Sequence, residues 1–169
     1  MKISFKILSL IGLCFFSCSE RDALPGGKLL TASPDSLTEQ EAENINNEIR
    51  TRVDQYIGSV MALDSTAMLD FWSDSKDFVY AGDGRVLGGY EKWIAQMLYF
   101  VRSTSSVLYW KNENIHVKAL APHAASYTMD FSVGFVNHEG DTTRDEGAWT
   151  YVFERTGGKW KVIQTNGTH

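Results

Sequence analysis

Few residues in this chain have types and spacings that could do chemistry. His116 lies between Ile115 and Val117 in a strand-like stretch, where it faces either a pocket or solvent. Asp130 belongs to the polar set of another strand, opposite Tyr127, Met129 and Phe131. It reads as a solvated outer-face carboxylate unless that face is the concave one. Asp145 and Glu146, beside Arg144 near a strand start, read as surface charges, and His123, His138 and His169 fall in turns or at the end of the sequence. No His, Asp and Glu spacing matches a metal site, and no nucleophile stands beside a base. On these residues alone no catalytic group, metal or cofactor is assigned. Cys18 is a different case, because its chemistry would be acylation.

The segment around Cys18 explains why. Lys2 and Lys6 precede an apolar run from Ile7 to Phe16, which has the length of a signal-peptide core and is too short to span a membrane as a helix. A small residue, Ser17, stands directly before Cys18, and this resembles the lipobox of bacterial lipoproteins, although Phe15 and Phe16 are bulkier than is usual there. Residues 1–17 are therefore expected to be a signal peptide and Cys18 the lipidated mature N-terminus; the alternative is a secretory peptide cut elsewhere, leaving a lone thiol. Residues 18–36 carry Pro25, Gly26, Gly27 and Pro34 without periodicity and read as a flexible tether. The expected location is the bacterial cell envelope, periplasm-facing or at the cell surface, with membrane contact through the lipid alone. No cysteine follows Cys18, which excludes a disulfide within the domain.

The charge balance excludes another class of partner. The chain has 16 basic and 21 acidic residues. Removal of Lys2 and Lys6 with the leader leaves 14 against 21, about −7, and no basic patch for nucleic acid.

The remaining residues, 37–169, must position whatever chemistry exists. Thr38-Glu39-Gln40-Glu41 fits a capping box, and Ile45, Ile49, Val53, Ile57 and Val60 follow at helical spacing to about Leu63. Asp64 caps a short second helix with Met68, Leu69, Phe71 and Trp72 on its apolar side. Phe78-Val79-Tyr80 and Arg85-Val86-Leu87 form a small hairpin about Gly82-Asp83-Gly84, and a third helix runs from Tyr90 to about Arg102. Four long strands follow. The first is broken by a polar bulge between Trp110 and Ile115, and the second alternates cleanly from Ala125 to Phe135. In the last hairpin Trp149, Tyr151 and Phe153 share a face, and beyond Thr156-Gly157-Gly158-Lys159 unbroken alternation groups Trp160, Val162 and Gln164. The fold class is α+β, with helices on one face of an antiparallel meander. Apolar residues on both faces of the terminal hairpin leave the outer face as a candidate homodimer interface.

This order of elements resembles the SnoaL-like family of the nuclear transport factor 2-like superfamily, in which a curved antiparallel sheet wraps three N-terminal helices into a cone. The residues that carry the resemblance are Tyr56-Ile57, Asp64, Phe71-Trp72, Gly82-Asp83-Gly84, Gly88-Gly89-Tyr90-Glu91, Ala124-Ala125, Gly147, Thr150, Val152, Gly158 and Trp160. The resemblance implies a cavity lined by Trp72, Tyr80, Trp93, Met97, Trp110 and Trp149, with a filled aromatic core as the alternative. It places Tyr56 at the oxyanion tyrosine of ketosteroid isomerases, but Tyr80 at the carboxylate base, and Thr150 on or near the second aspartate. A phenol cannot replace a carboxylate base at neutral pH without a strong shift, so that isomerisation is not expected. Asn166 stands where the family often carries a histidine. The expected pocket set is therefore Tyr56, Trp72, Tyr80, Trp93, Met97, His116, Thr150 and Asn166, for a small lipophilic ligand. A lyase or isomerase with an unusual acid–base set, or a dimerisation module with a closed cavity, are the alternatives.

Overall fold

A computed structural model describes residues 37–169; the expected signal peptide, tether and Cys18 lie outside them. Helix α1 (Glu39–Met61) starts at the expected capping box, with the Thr38 hydroxyl accepting from Glu41 N and the Glu41 carboxylate accepting from Thr38 N. Its buried stripe of Ile45, Ile49, Val53, Tyr56 and Val60 keeps the three- and four-residue spacing of an amphipathic helix. Helix α2 (Ser65–Asp70) is capped by Asp64, whose carboxylate accepts from Ala67 N. Strands β1 (Val79–Gly82) and β2 (Arg85–Gly88) form the small hairpin. Its turn residues Asp83 and Gly84 both have positive φ, 48° and 79°, as the Asp-Gly type I′ turn requires. Helix α3 (Tyr90–Ser103) follows, then β3 (Thr104–Ala121), β4 (Ala124–Asn137), β5 (Thr142–Thr156) and β6 (Lys159–Thr168).

The sheet differs from a pure antiparallel meander. Its order is β2-β1-β6-β5-β4-β3, and β1 pairs with β6 in parallel, so the small hairpin extends the meander into a six-stranded mixed sheet. The terminal hairpin therefore lies inside the sheet, with β6 between β1 and β5. β3 is a single long strand whose register shifts between Glu113 and His116, with Asn114 at φ 48°, where the polar break was expected.

A second register shift matters more. In the β5–β6 ladder Val152 pairs with Gln164, but Phe153 pairs with Val162, so Ile163 is the extra residue of a bulge. Trp160 and Val162 are buried, and after the bulge the buried residue is Thr165, not Gln164. Unbroken alternation, which grouped Gln164 with Trp160 and Val162, is corrected by this one residue.

The helices cover the sheet face that carries Tyr127, Met129, Phe131, Trp149, Tyr151 and Phe153, all buried. Aromatic edges and faces meet at Tyr56 on Phe71, with ring centres 4.1 Å apart, and at Trp72 on Trp93, 4.9 Å apart. Such contacts add about 0.5–1.5 kcal/mol per pair beyond burial. Arg52 of α1 donates to the Asp70 carboxylate (3.0 Å), the Asp70 carbonyl and the Trp160 carbonyl, tying α1 to α2 and β6.

Candidate functional site

A cavity of about 190 Å³ remains between the helices and the sheet. Tyr56 and Val60 of α1 and Met68 of α2 form its floor; Trp93, Met97 and Phe100 of α3 form one wall. The sheet supplies Trp110, Met129, Phe131, Val133, Phe135, Trp149 and Tyr151. Helical spacing on α3 and strict alternation on β4 put these side chains on one side of each element. For scale, an apolar cavity of about 150 Å³ holds benzene, so this one matches a single substituted ring and is too small for a fused four-ring system.

The polar feature of the cavity is a pair that sequence patterning assigned to the surface. His169 Nδ1 lies 3.0 Å from both carboxylate oxygens of Asp145, and both residues line the cavity. Their side chains are 44% and 35% exposed, which puts the pair at the mouth. A carboxylate only accepts, so Nδ1 carries the proton of this bond, and Nε2 of the neutral ring is left as an acceptor. The imidazole meets Trp149 and Phe131 edge-on, with ring centres at 5.4 Å and 6.0 Å. Its backbone N–H donates to Asp83 Oδ1 (3.3 Å), and Asp83 N donates to the Gly167 carbonyl (3.1 Å), so the β1–β2 turn holds the end of β6 in place.

Inside, the cavity is nearly without charge. Burial pushes the Tyr56 phenol far above its ordinary pKa. The Tyr151 phenol is raised by burial first and by the neighbouring Tyr56 and Tyr127 second. Both stay protonated across the working range of pH. Among the described residues Tyr56 Oη reaches only Met97 Sδ, at 3.5 Å. Trp149 Nε1 turns away from this space and donates to the hydroxyl of fully buried Thr165.

The expected pocket residues divide accordingly. Tyr56, Trp93, Met97, Trp110 and Trp149 line the cavity. Trp72 and Tyr80 are buried behind it, packed on Trp93 at 4.9 Å and 4.4 Å, and belong to the filled core. His116 is exposed on β3 opposite Thr128, because the bulge at Asn114 turns it outward. Thr150 and Asn166 pair with each other on the face away from the helices, where Thr150 Oγ1 lies 3.0 Å from Thr128 Oγ1. They edge a shallow groove with Gly82 and Arg85 instead of the cavity. Asp130 is exposed and bonded by Asn114 Nδ2 (2.6 Å). Among the described residues no three His, Cys, Asp or Glu side chains are grouped to hold a metal ion, and no helix is long and apolar enough to cross a membrane.

Residues 49–167 match the family model described as a SnoaL-like domain. The chain belongs to the SnoaL-like domain family. Among solved structures it is similar to a nuclear transport factor 2-like superfamily protein from Salmonella enterica, with 15% identity over 74% of this chain and 90% of that one, at a TM-score of 0.63. A protein from Novosphingobium aromaticivorans, named a candidate scytalone dehydratase, shares 10% identity over 77% and 87% of the two chains at a TM-score of 0.66. A nuclear transport factor 2-like protein of unknown function from Pseudomonas putida shares 17% over 75% and 87%, at 0.60. At these identities the likeness is one of fold. No curated protein matches the sequence.

Proposed function

We propose that this SnoaL-like domain binds a small, largely apolar ring compound in its cavity while tethered to a membrane through Cys18. The observation that carries this is the walled space of about 190 Å³, with aromatic and thioether sides and the Asp145–His169 pair at its mouth. A largely apolar pocket with few polar groups is what such a ligand needs. The test is thermal denaturation of the chain against a panel of one-ring lipophilic compounds. A raised melting temperature with any of them supports binding; no rise across the panel removes it.

The tether rests on the lipobox-like residues before Cys18. Cys18→Ser should release the protein from membranes into the soluble fraction, and continued membrane association would refute lipidation. Pairing of two copies is proposed through the outer sheet face, where Val152 and Ile163 are only half-buried. Sedimentation of the chain decides it: a monomer at all concentrations speaks against the dimer.

The Asp145–His169 pair favours a second reading, that of a proton-transfer enzyme with an unusual acid–base set. His169 Nε2 would take a proton from a carbon beside a carbonyl and return it, with Asp145 balancing the imidazolium charge. Exchange of the acetophenone methyl protons in deuterated water should then be accelerated by the chain and not by His169→Gln; equal rates would exclude this role.

A further inference from the structure

Helix α3, YEKWIAQMLYFVRS, is apolar on more than the side that meets the core. Trp93, Met97 and Phe100 follow at spacings of four and three and wall the cavity. Trp93 is the one residue of this helix that is buried. Ala95, Leu98, Tyr99 and Arg102 recur at the same spacings on the side turned to solvent. Ala95 and Arg102 are exposed, Leu98 is only half-buried and Tyr99 is 73% exposed. An aromatic and a leucine side by side on an open helix face, with a cation one turn on, need a partner to account for them.

The area of the face argues against a second protein. Tyr99 at 73% exposed offers on the order of 150 Å², and Leu98 adds less. A stable protein interface needs about 800 Å² from each partner. Val86, Leu108 and Leu120 do not enlarge the patch. Val86 lies on β2, and Leu108 and Leu120 lie towards opposite ends of β3; those strands are the two edges of the sheet. So small a face is useful only to a domain already held beside its partner, where the contact is made at high effective concentration. The anchor expected at Cys18 does that for one surface, the lipid. Nineteen residues, 18–36, separate it from Leu37. At full extension they reach about 65 Å, against about 34 Å for the length of α1, so any face of the domain can come down on the bilayer.

We infer that the outer face of α3 docks on the lipid surface, so that contact with the membrane goes beyond the acyl chains on Cys18. Leu98 and Tyr99 enter the boundary between headgroups and acyl chains, where amphipathic aromatic side chains are favoured. Arg102 stays at the level of the phosphates. This rests on the tether proposed above. Docked in this way, the cavity wall formed by Trp93, Met97 and Phe100 backs onto the lipid in which a small apolar ligand is most concentrated. The outer face of the sheet, with Thr128, Thr150 and Asn166, is polar and lies on the far side of the domain.

The test uses the lipidated chain in vesicles of phosphatidylethanolamine and phosphatidylglycerol, with and without bromine on the acyl chains. No cysteine follows Cys18, so Ala95→Cys carries a bimane fluorophore at one site beside Leu98 and Tyr99. Gln164→Cys, exposed on the outer sheet face, is the control. Bromine should dim the Ala95→Cys probe at least twofold and leave the Gln164→Cys probe unchanged. Adding Leu98→Ser and Tyr99→Ser should restore most of the lost signal while the protein still sediments with the vesicles. Equal brightness in both vesicles at Ala95→Cys, in protein that sediments, would overturn docking and leave the tether standing. A blue-shifted probe that bromine does not dim would place a second copy on the face and overturn docking as well. Equal dimming at both sites would overturn the choice of face. Protein that does not sediment with either vesicle would overturn the tether and docking together.

Discussion

At the residue scale, one buried hydrogen bond organises the sheet side of the cavity. Thr165 is fully buried and accepts from Trp149 Nε1, which fixes the indole that walls the cavity and supports His169. Gly167 is small for the same reason: a Cβ there would run into the Trp149 ring. Replacing Thr165 with Val keeps the shape but leaves a buried indole N–H unpaired, at a cost of about 1–3 kcal/mol. Urea unfolding should show that loss, and Thr165→Ser should restore most of it; a neutral Thr165→Val would mean the bond contributes nothing. The identity of the mouth pair was only half legible. Asp145 keeps the parity of Trp149 and Tyr151, so counting back along β5 in twos reaches it. His169 was hidden by Ile163, because unbroken alternation places Asn166 inward and a single bulge exchanges the two.

At the element scale, helices announce themselves through capping and period, and strands through alternation. The capping box at Thr38, the Asp64 cap and the Asp83-Gly84 turn are local chemistry, and each is where the residues put it. Parallel pairing of β1 with β6 joins residues about 85 apart in sequence, and no local pattern encodes such a pairing. The same holds for the cross-element anchor at Asp70, which receives Arg52 from α1 and Lys161 from β6 at 3.0 Å and 3.3 Å. Burial alone would raise the Asp70 pKa, but Lys161 and Arg52 outweigh it and hold the carboxyl below its ordinary value. A depressed folded-state pKa means the stabilisation is present above the unfolded value, near 3.9, and is lost as pH falls through the folded one. Acid unfolding should therefore begin at a higher pH in Arg52→Gln than in the unaltered chain, read by circular dichroism. The effect is small, because Asp70 is 38% exposed and solvent screens the pair. Coincident acid transitions would show that the anchor does not contribute.

At the scale of the whole molecule, the sequence is consistent with an N-terminal address, a tether and one α+β domain, and the SnoaL-like membership of residues 49–167 identifies the domain but not its chemistry. The cavity depends on volumes that no sequence pattern states: Trp72 and Tyr80 fill the core while Trp93 and Trp149 stop short of filling the cone. Ligand binding is therefore the claim on which the functional account turns. Trp93, Trp110 and Trp149 face the cavity, so titration of the full chain with acetophenone, followed by tryptophan fluorescence, reports on it directly. The predicted result is a saturable change that Val133→Phe, which fills the cavity, weakens at least tenfold. Saturation should raise stability by about 1.4 kcal/mol at ten times Kd. A linear, unsaturable change, or one that Val133→Phe leaves untouched, would contradict a binding cavity at this site.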